Sequence, residues 1–192
     1  WPSSQQLRQL ADGSDHIAIT VNGGAYGLGT NGIHHLDYFL FLTGRQNAEV
    51  RYAHLFDLPI LSGRGERFRD FGGHYLVENE RGSMLGCCLP ASSAAPVMTI
   101  VGRNFTAIID ERTLDWTLTV RKPESTLPVY RCDADYVPTA TGEMKYLPMD
   151  ATTGLWADGE IALPNFTEAS AAHDLLHAVL EKGGARGPYH YT

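Results

Sequence analysis

The chain predicts an α+β fold: a predominantly antiparallel open β-sheet with helices packed on one face. Three observations lead there. An amphipathic segment opens the chain and another closes it. Between Gly44 and Pro123, short runs rich in Val, Ile, Thr and aromatics are separated by turns that carry Gly, Pro and Asn. Nowhere do strands and helices alternate as a parallel crossover sheet requires.

In order, residues 2–10 (PSSQQLRQL) form a short helix with Pro2 in its first turn and Leu7 and Leu10 on one face, ended by Gly13. Residues 16–21 (HIAITV) alternate and are β-branched, so they read as a strand. The glycine-rich stretch NGGAYGLGTNG follows. In the run after it, Ile33, Leu36, Leu40 and Phe41 recur with helical spacing and Gly44 is placed as a C-terminal stop. Residues 48–58, 74–78, 83–89, 97–101, 105–110 and 114–121 read as successive antiparallel strands. Residues 123–164 are punctuated by proline and read as loop with one or two short edge strands. Residues 166–182 close the chain as a helix. Asn165 and Glu168 make a capping-box signal, Ala172, Leu175, Leu176, Val179 and Leu180 form the apolar stripe, and Gly183-Gly184 stops it. With no internal repeat and no interior linker, residues 1–192 read as a single domain.

Bulk properties narrow the partners. The 192 residues suffice for one good core and are thin for two. A net charge of −7 speaks against nucleic acid or an anionic membrane surface as a partner. The one basic cluster, residues 64–69 in SGRGERFRD, is broken by Gly65 and Glu66 and reads as a solvated loop. Cys87, Cys88 and Cys132 form neither a disulfide framework nor a zinc pattern, which fits a reducing cytoplasm. No apolar run is long enough to span a bilayer. The chain begins at Trp1-Pro2 without an initiator methionine, as a fragment or a processed product would.

Three motifs can carry chemistry. Gly27-Leu28-Gly29-Thr30-Asn31-Gly32 matches the dinucleotide fingerprint G-x-G-x-x-G. However, several residues separate it from the preceding strand, and no βαβ units follow, so it reads as flexible backbone ahead of a helix N-terminus facing a cleft. His173 and His177 lie four apart on the closing helix, the spacing of a zinc pair, but they straddle its apolar stripe and lack a third ligand nearby; no metal is expected. In Asn31-Gly32-Ile33-His34-His35-Leu36-Asp37, Thr30 or Asn31 can cap the helix. His34 then sits in the first turn, where the helix dipole disfavours a protonated ring. A neutral histidine there can exchange a proton with a substrate hydroxyl, with Asp37 and Tyr38 one turn on to orient it. A histidine pair on an amphipathic helix is also a common structural feature, and the residues alone leave both readings open.

Gly32-Ile33-His34-His35-Leu36-Asp37 with downstream Leu42-Thr43-Gly44 resembles the G-[IV]-H-x-[LI]-D…L-x-G signature of the glucose–fructose oxidoreductase and inositol dehydrogenase family (Gfo/Idh/MocA). The order of elements around it extends the resemblance over nearly the whole chain, and Tyr26–Asn31 resembles a branch associated with cell-surface sugar biosynthesis. The resemblance implies the substrate-binding and dimerisation domain of a two-domain enzyme, with a fold like the C-terminal domain of glyceraldehyde-3-phosphate dehydrogenase. NAD or NADP would be bound mainly by an N-terminal Rossmann domain absent from this chain, leaving no cofactor-binding residues here. The substrate would be a sugar or sugar derivative such as a nucleotide sugar, with His34 as catalytic proton relay and Tyr26, Thr30, Asn31 and Asp37 contacting it. The sheet face would join copies into a homodimer or higher homo-oligomer. The family commonly has an aspartate four residues before the histidine, where this chain has Thr30, which puts the Asp–His pairing in doubt. The alternative function is a sugar-binding or scaffold module of the same family that has lost catalysis. On either reading, this chain alone is expected to bind no cofactor and turn over nothing.

Overall fold

The computed structural model describes residues 2–44, 47–61, 68–128, 130–132, 134–144, 149–159 and 165–185. Helix α1 (Pro2–Asp12) leads into strand β1 (Ile17–Gly23), a π-helical turn (Gly27–Gly32) and α2 (Ile33–Leu42). Strands β2 (Glu49–Leu61), β3 (Arg69–Asn79), β4 (Gly82–Cys88), β5 (Val97–Val101), β6 (Phe105–Asp110), β7 (Asp115–Arg121) and β8 (Tyr136–Glu143) follow, then α3 (Met149–Ala157) and α4 (Phe166–Lys182). Of the basic cluster, residues 64–67 lie outside the described residues, and Arg69 opens β3.

The described strands form one mixed sheet in the order β2-β3-β4-β1-β5-β6-β7-β8. All neighbours are antiparallel except β1 and β4, which run parallel from Ile17 opposite Gly82 to Gly23 opposite Cys88. The mostly antiparallel sheet agrees with the expectation, and the one parallel pair adds to it. A parallel pair needs a long crossover, and here the π-helical turn, α2 and the β2–β3 hairpin provide it. The crossover puts β1 in the middle of the sheet and hangs α2 above it.

Alternation explains the layers. Ile17, Ile19 and Val21 of β1, Tyr75 and Val77 of β3, Met98 and Ile100 of β5, and Phe105, Ala107 and Ile109 of β6 are buried. They pack with Leu7 and Ala11 of α1, Leu36, Phe39 and Leu40 of α2 and the apolar stripe of α4 in one core. On the other face Leu85, Val97, Val101 and Ile108 keep 40–47% of their surface exposed. Helix α4 packs on β2 and α2, and the amide of Leu55 donates to the Gly183 carbonyl at its C-terminal end.

The end of α2 is held by the residues that follow it. Thr43 Oγ1 donates to the Phe39 carbonyl at 2.8 Å and accepts from Asn79 Nδ2 at 2.8 Å, tying the helix end to β3. Gly44 adopts φ +88°, a conformation open to glycine at little cost, and Arg8 of α1 donates to the Phe41 carbonyl beside it. Leu42 is fully buried. Each residue of Leu42-Thr43-Gly44 thus has a structural task.

One element departs from expectation between residues 123 and 164. β8 is the expected edge strand, but residues 149–157 (MDATTGLWA) form a helix, not a loop. It is mostly exposed, so no apolar stripe announces it in the sequence. No described helix is long and apolar enough to cross a membrane.

Candidate functional site

The glycine-rich stretch is wrapped around a buried carboxylate. Asp70, at the start of β3, is 2% exposed. Its Oδ1 accepts from the Gly29 amide at 2.7 Å and from the Phe71 amide at 2.7 Å, while its Oδ2 accepts from the Thr30 amide at 2.8 Å and from Thr30 Oγ1 at 2.6 Å. An isolated carboxylate in a core is costly, and these four donors offset that cost. Gly27, at φ +75°, is required on two counts: its backbone is left-handed, and a Cβ there would lie 2.2 Å from Asp70 Oδ2. At Gly29 a Cβ would stand 3.2 Å from Asp70 Oδ1.

This arrangement decides what the G-x-G-x-x-G match means. In a dinucleotide site, the amides of such a loop receive a pyrophosphate. Here the amides of Gly29 and Thr30 already hold the chain's own carboxylate, whose charge would repel a phosphate. A dinucleotide does not fit these residues. The expected flexible backbone is corrected as well, because the turn is helical and pinned to β3.

The capping expectation also fails. The π-helical turn runs straight into α2, with Tyr26 and Gly32 both in right-handed helical conformation and no side-chain cap. Asn31 instead donates from Nδ2 to the Tyr26 carbonyl at 2.7 Å. A helical turn therefore precedes His34, and the dipole argument for a neutral ring at a free helix start loses its basis.

The histidine pair divides. His35 is 4% exposed, its Nε2 lies 2.9 Å from the Glu111 carboxylate of the β6–β7 turn, and Tyr26 meets its ring edge-on at 5.1 Å. His35 is a core residue. His34 is exposed, as are Thr30 one turn before it and Asn31. Asp37, one turn on, is half-buried. Tyr38 is turned toward α1, its hydroxyl 3.4 Å from Ser4 Oγ, and burial pushes its phenol up to about 12; it does not orient His34. Tyr26, expected at the substrate, is 8% exposed, and its hydroxyl is buried in the core beside that of Tyr75. Burial raises the pKa of both phenols. Four of the five expected site residues, Thr30, Asn31, His34 and Asp37, thus retain exposed surface, and Tyr26 lies in the core beneath them.

Asp70 was missed by sequence reasoning. It ends a charged run that resembles a solvated loop, and no local pattern marks it as buried. On α4, His173 and His177 are both exposed, and His173 Nδ1 lies 3.0 Å from the Ala169 carbonyl. Among the described residues no group of three or more His, Cys, Asp or Glu side chains is placed to hold a metal ion. A cavity of about 200 Å³ is lined by Phe56, Asp57, Pro59, Arg69 and Phe71 of β2 and β3, without residues of the His34 segment.

No sequence-family model and no curated protein matches the chain. Its fold is similar to that of solved oxidoreductases. A dehydrogenase (MviM) from Clostridium difficile aligns with a TM-score of 0.57 at 11% identity, over 93% of this chain and 58% of that one. UDP-N-acetylglucosamine 3-dehydrogenase GnnA from Acidithiobacillus ferrooxidans aligns with a TM-score of 0.56 at 16% identity, over 96% and 57%. A mutant of KijD10, a 3-ketoreductase from Actinomadura kijaniata in complex with TDP-benzene and NADP, gives 0.60 at 14%, over 99% and 60%. At these identities the likeness is one of fold. The chain spans less than two thirds of the length of each of these proteins.

Proposed function

We propose that this chain is the substrate-binding part of an NAD- or NADP-dependent oxidoreductase acting on a sugar or sugar derivative, including nucleotide sugars, with His34 relaying the hydroxyl proton. The observation that carries the reading is the exposed His34 on α2, one turn after Thr30, in a fold similar to solved dehydrogenases and a ketoreductase. The nicotinamide supplies hydride chemistry and would be bound outside the described residues, by a Rossmann domain preceding a domain like the C-terminal one of glyceraldehyde-3-phosphate dehydrogenase. Alignment over only 57–60% of the neighbours' chains supports that division.

The contribution of this chain is then protonic and positional. Oxidation of a carbinol requires removal of its hydroxyl proton, and imidazole exchanges protons near neutral pH. His34 takes that proton in oxidation and returns it in reduction. Thr30, Asn31 and Asp37 hold the substrate beside it, and Tyr26 supports their backbone from the core. The uncovered sheet face, with Leu85, Val97, Val101 and Ile108 on it, suits a homodimer or higher homo-oligomer. Three free cysteines suit a reducing cytoplasm.

Replacing His34 by Ala in the full-length protein tests the reading. Turnover should fall roughly 10²- to 10⁴-fold, the range for loss of a general acid–base group, with substrate binding retained. Unchanged turnover would remove the relay, and binding without turnover in the unaltered protein would support the sugar-binding module instead.

A further inference from the structure

We infer that the cavity between β2 and β3 is a separate binding site for a small zwitterion with an apolar group, the chemistry of a free α-amino acid. It contains no residue of the His34 segment.

The cavity lies where β2 carries more chain than β3. Leu55 is opposite Gly73 and Pro59 is opposite Phe71, so Phe56, Asp57 and Leu58 stand against the single residue Gly72. Regular pairing is broken there, and a bulge of this kind re-aims the side chains it carries. Phe56 is held in a fixed orientation, because its ring meets that of His74 at 4.9 Å and 75° and that of His54 at 5.8 Å and 90°. With Pro59 and Phe71 it forms the apolar part of the wall. The volume, about 200 Å³, is below the roughly 300–1,000 Å³ of sites for drug-sized ligands, so the space suits a molecule much smaller than a nucleotide sugar.

Asp57 and Arg69 add one charge of each sign to the same wall. Both are exposed, and among the described residues their side chains pair neither with each other nor with any other group. That combination selects the occupant. An anion alone would be repelled by Asp57 and a cation alone by Arg69. A neutral ligand would take water from both charges and return weaker bonds than a charged one, since charge-assisted hydrogen bonds are roughly twice as strong as neutral ones. A zwitterion answers both charges at once. Its carboxylate accepts from the fork of Arg69, its ammonium donates to Asp57, and its apolar group lies against Phe56, Pro59 and Phe71.

Calorimetry on the full-length protein with L-leucine, L-leucinamide and N-acetyl-L-leucine tests this. L-leucine should bind with a Kd on the order of 1 mM or tighter. L-leucinamide lacks the carboxylate and N-acetyl-L-leucine lacks the ammonium. Each should bind roughly 10-fold more weakly, the worth of one hydrogen bond to a charged group. Arg69→Met and Asp57→Asn alter exposed side chains, so both variants should keep their Tm and lose a similar factor for L-leucine. Arg69→Met should leave the affinity for L-leucinamide unchanged, and Asp57→Asn that for N-acetyl-L-leucine. Hydrogen exchange should slow in residues 56–59 and 69–71 when L-leucine is present.

No heat and no added protection at roughly 10 mM L-leucine overturn the site. Equal affinity for the three ligands overturns the zwitterion. Displacement of L-leucine by glucose or UDP-N-acetylglucosamine would put the substrate itself in the cavity and overturn a separate site. L-leucine binding together with unchanged turnover in His34→Ala would remove the proposed function and leave this site intact.

Discussion

Two helical segments of this molecule begin in opposite ways. At α4, Asn165 Oδ1 accepts from the Glu168 amide at 3.0 Å, and Glu168 Oε2 accepts from the Asn165 amide at 2.9 Å. The cap is complete within four successive residues. At the π-helical turn leading to α2, Asp70 on β3 accepts from the amides of Gly29 and Thr30, 41 and 40 residues before it in the chain. Both solutions satisfy early amides with a side-chain oxygen. The local cap stabilises its own helix and nothing else. The remote one also fixes where that helix stands on the sheet, so the exposed residues that follow it inherit a defined position. A site built on α2 gains from the second kind of start, and α4, which packs as a support, has no need of it.

The largest effect that would separate the two starts comes from Gly27→Ala. Alanine at φ +75° costs about 1–2 kcal/mol, and its Cβ, 2.2 Å from Asp70 Oδ2, forces the carboxylate off its donors. Together with the lost hydrogen bonds of a buried charge, the expected loss is roughly 3–5 kcal/mol. For a chain of this size that is a fall in Tm of about 10 °C or more. A fall of only 1–2 °C in calorimetry would mean that the Asp70 cradle relaxes freely and that the contrast with α4 is empty.

Alkali should open the same region next. Cys88, beside the π-helical turn with its Sγ donating to the Gly24 carbonyl at 3.3 Å, is pushed by burial from 9 to about 11, and Tyr38 of α2 from 10 to about 12. Both groups are neutral when protonated, and the folded state holds their protons more tightly than the unfolded state. Their stabilising contribution is complete below pH 9 and is lost as pH rises through 11 for Cys88 and 12 for Tyr38. The loss for either group is about 3 kcal/mol at most. Hydrogen exchange at rising pH should loosen the π-helical turn and α2 before α4, and Cys88→Ala should remove the step between pH 9 and 11. Simultaneous loosening of both regions in the unaltered chain would break the comparison.

The same contrast explains what could be read in the sequence. Strands at residues 97–101 and 105–110 and the helix at 166–182 stand where expected, because alternation, the apolar stripe and the capping box are written in neighbouring residues. The parallel pairing of β1 with β4 was not legible: Ile17, Ile19 and Val21 alternate in the same way whichever strand lies beside them. Neither was the helical state of Gly27–Gly32, since three glycines in six residues argue for loop, and a carboxylate from β3 reverses that preference. Asp70 itself sits in a run of charges, and its burial depends on glycines far from it in the chain. In the candidate site, the residues alone could not tell exposed His34 from buried His35, because only the position of Glu111 across the fold assigns one ring to the core.

The smallest effect lies at α4. Asn165→Ala removes one half of the capping box and should cost about 1 kcal/mol. The loss should stay in the first turn, because the buried stripe begins only at Ala172 and continues through Leu175, Leu176, Val179 and Leu180. That stripe, not the cap, holds α4 on β2 and α2. Hydrogen exchange should therefore show fraying at residues 166–169 with unchanged protection of the Gly29 and Thr30 amides. The outcome that matters is protection at those two amides: if it falls with the α4 cap, then α4 transmits its stability to the π-helical turn through α2. In that case the site depends on a local cap after all, and Asp70 would share with α4 the task of holding His34 in place.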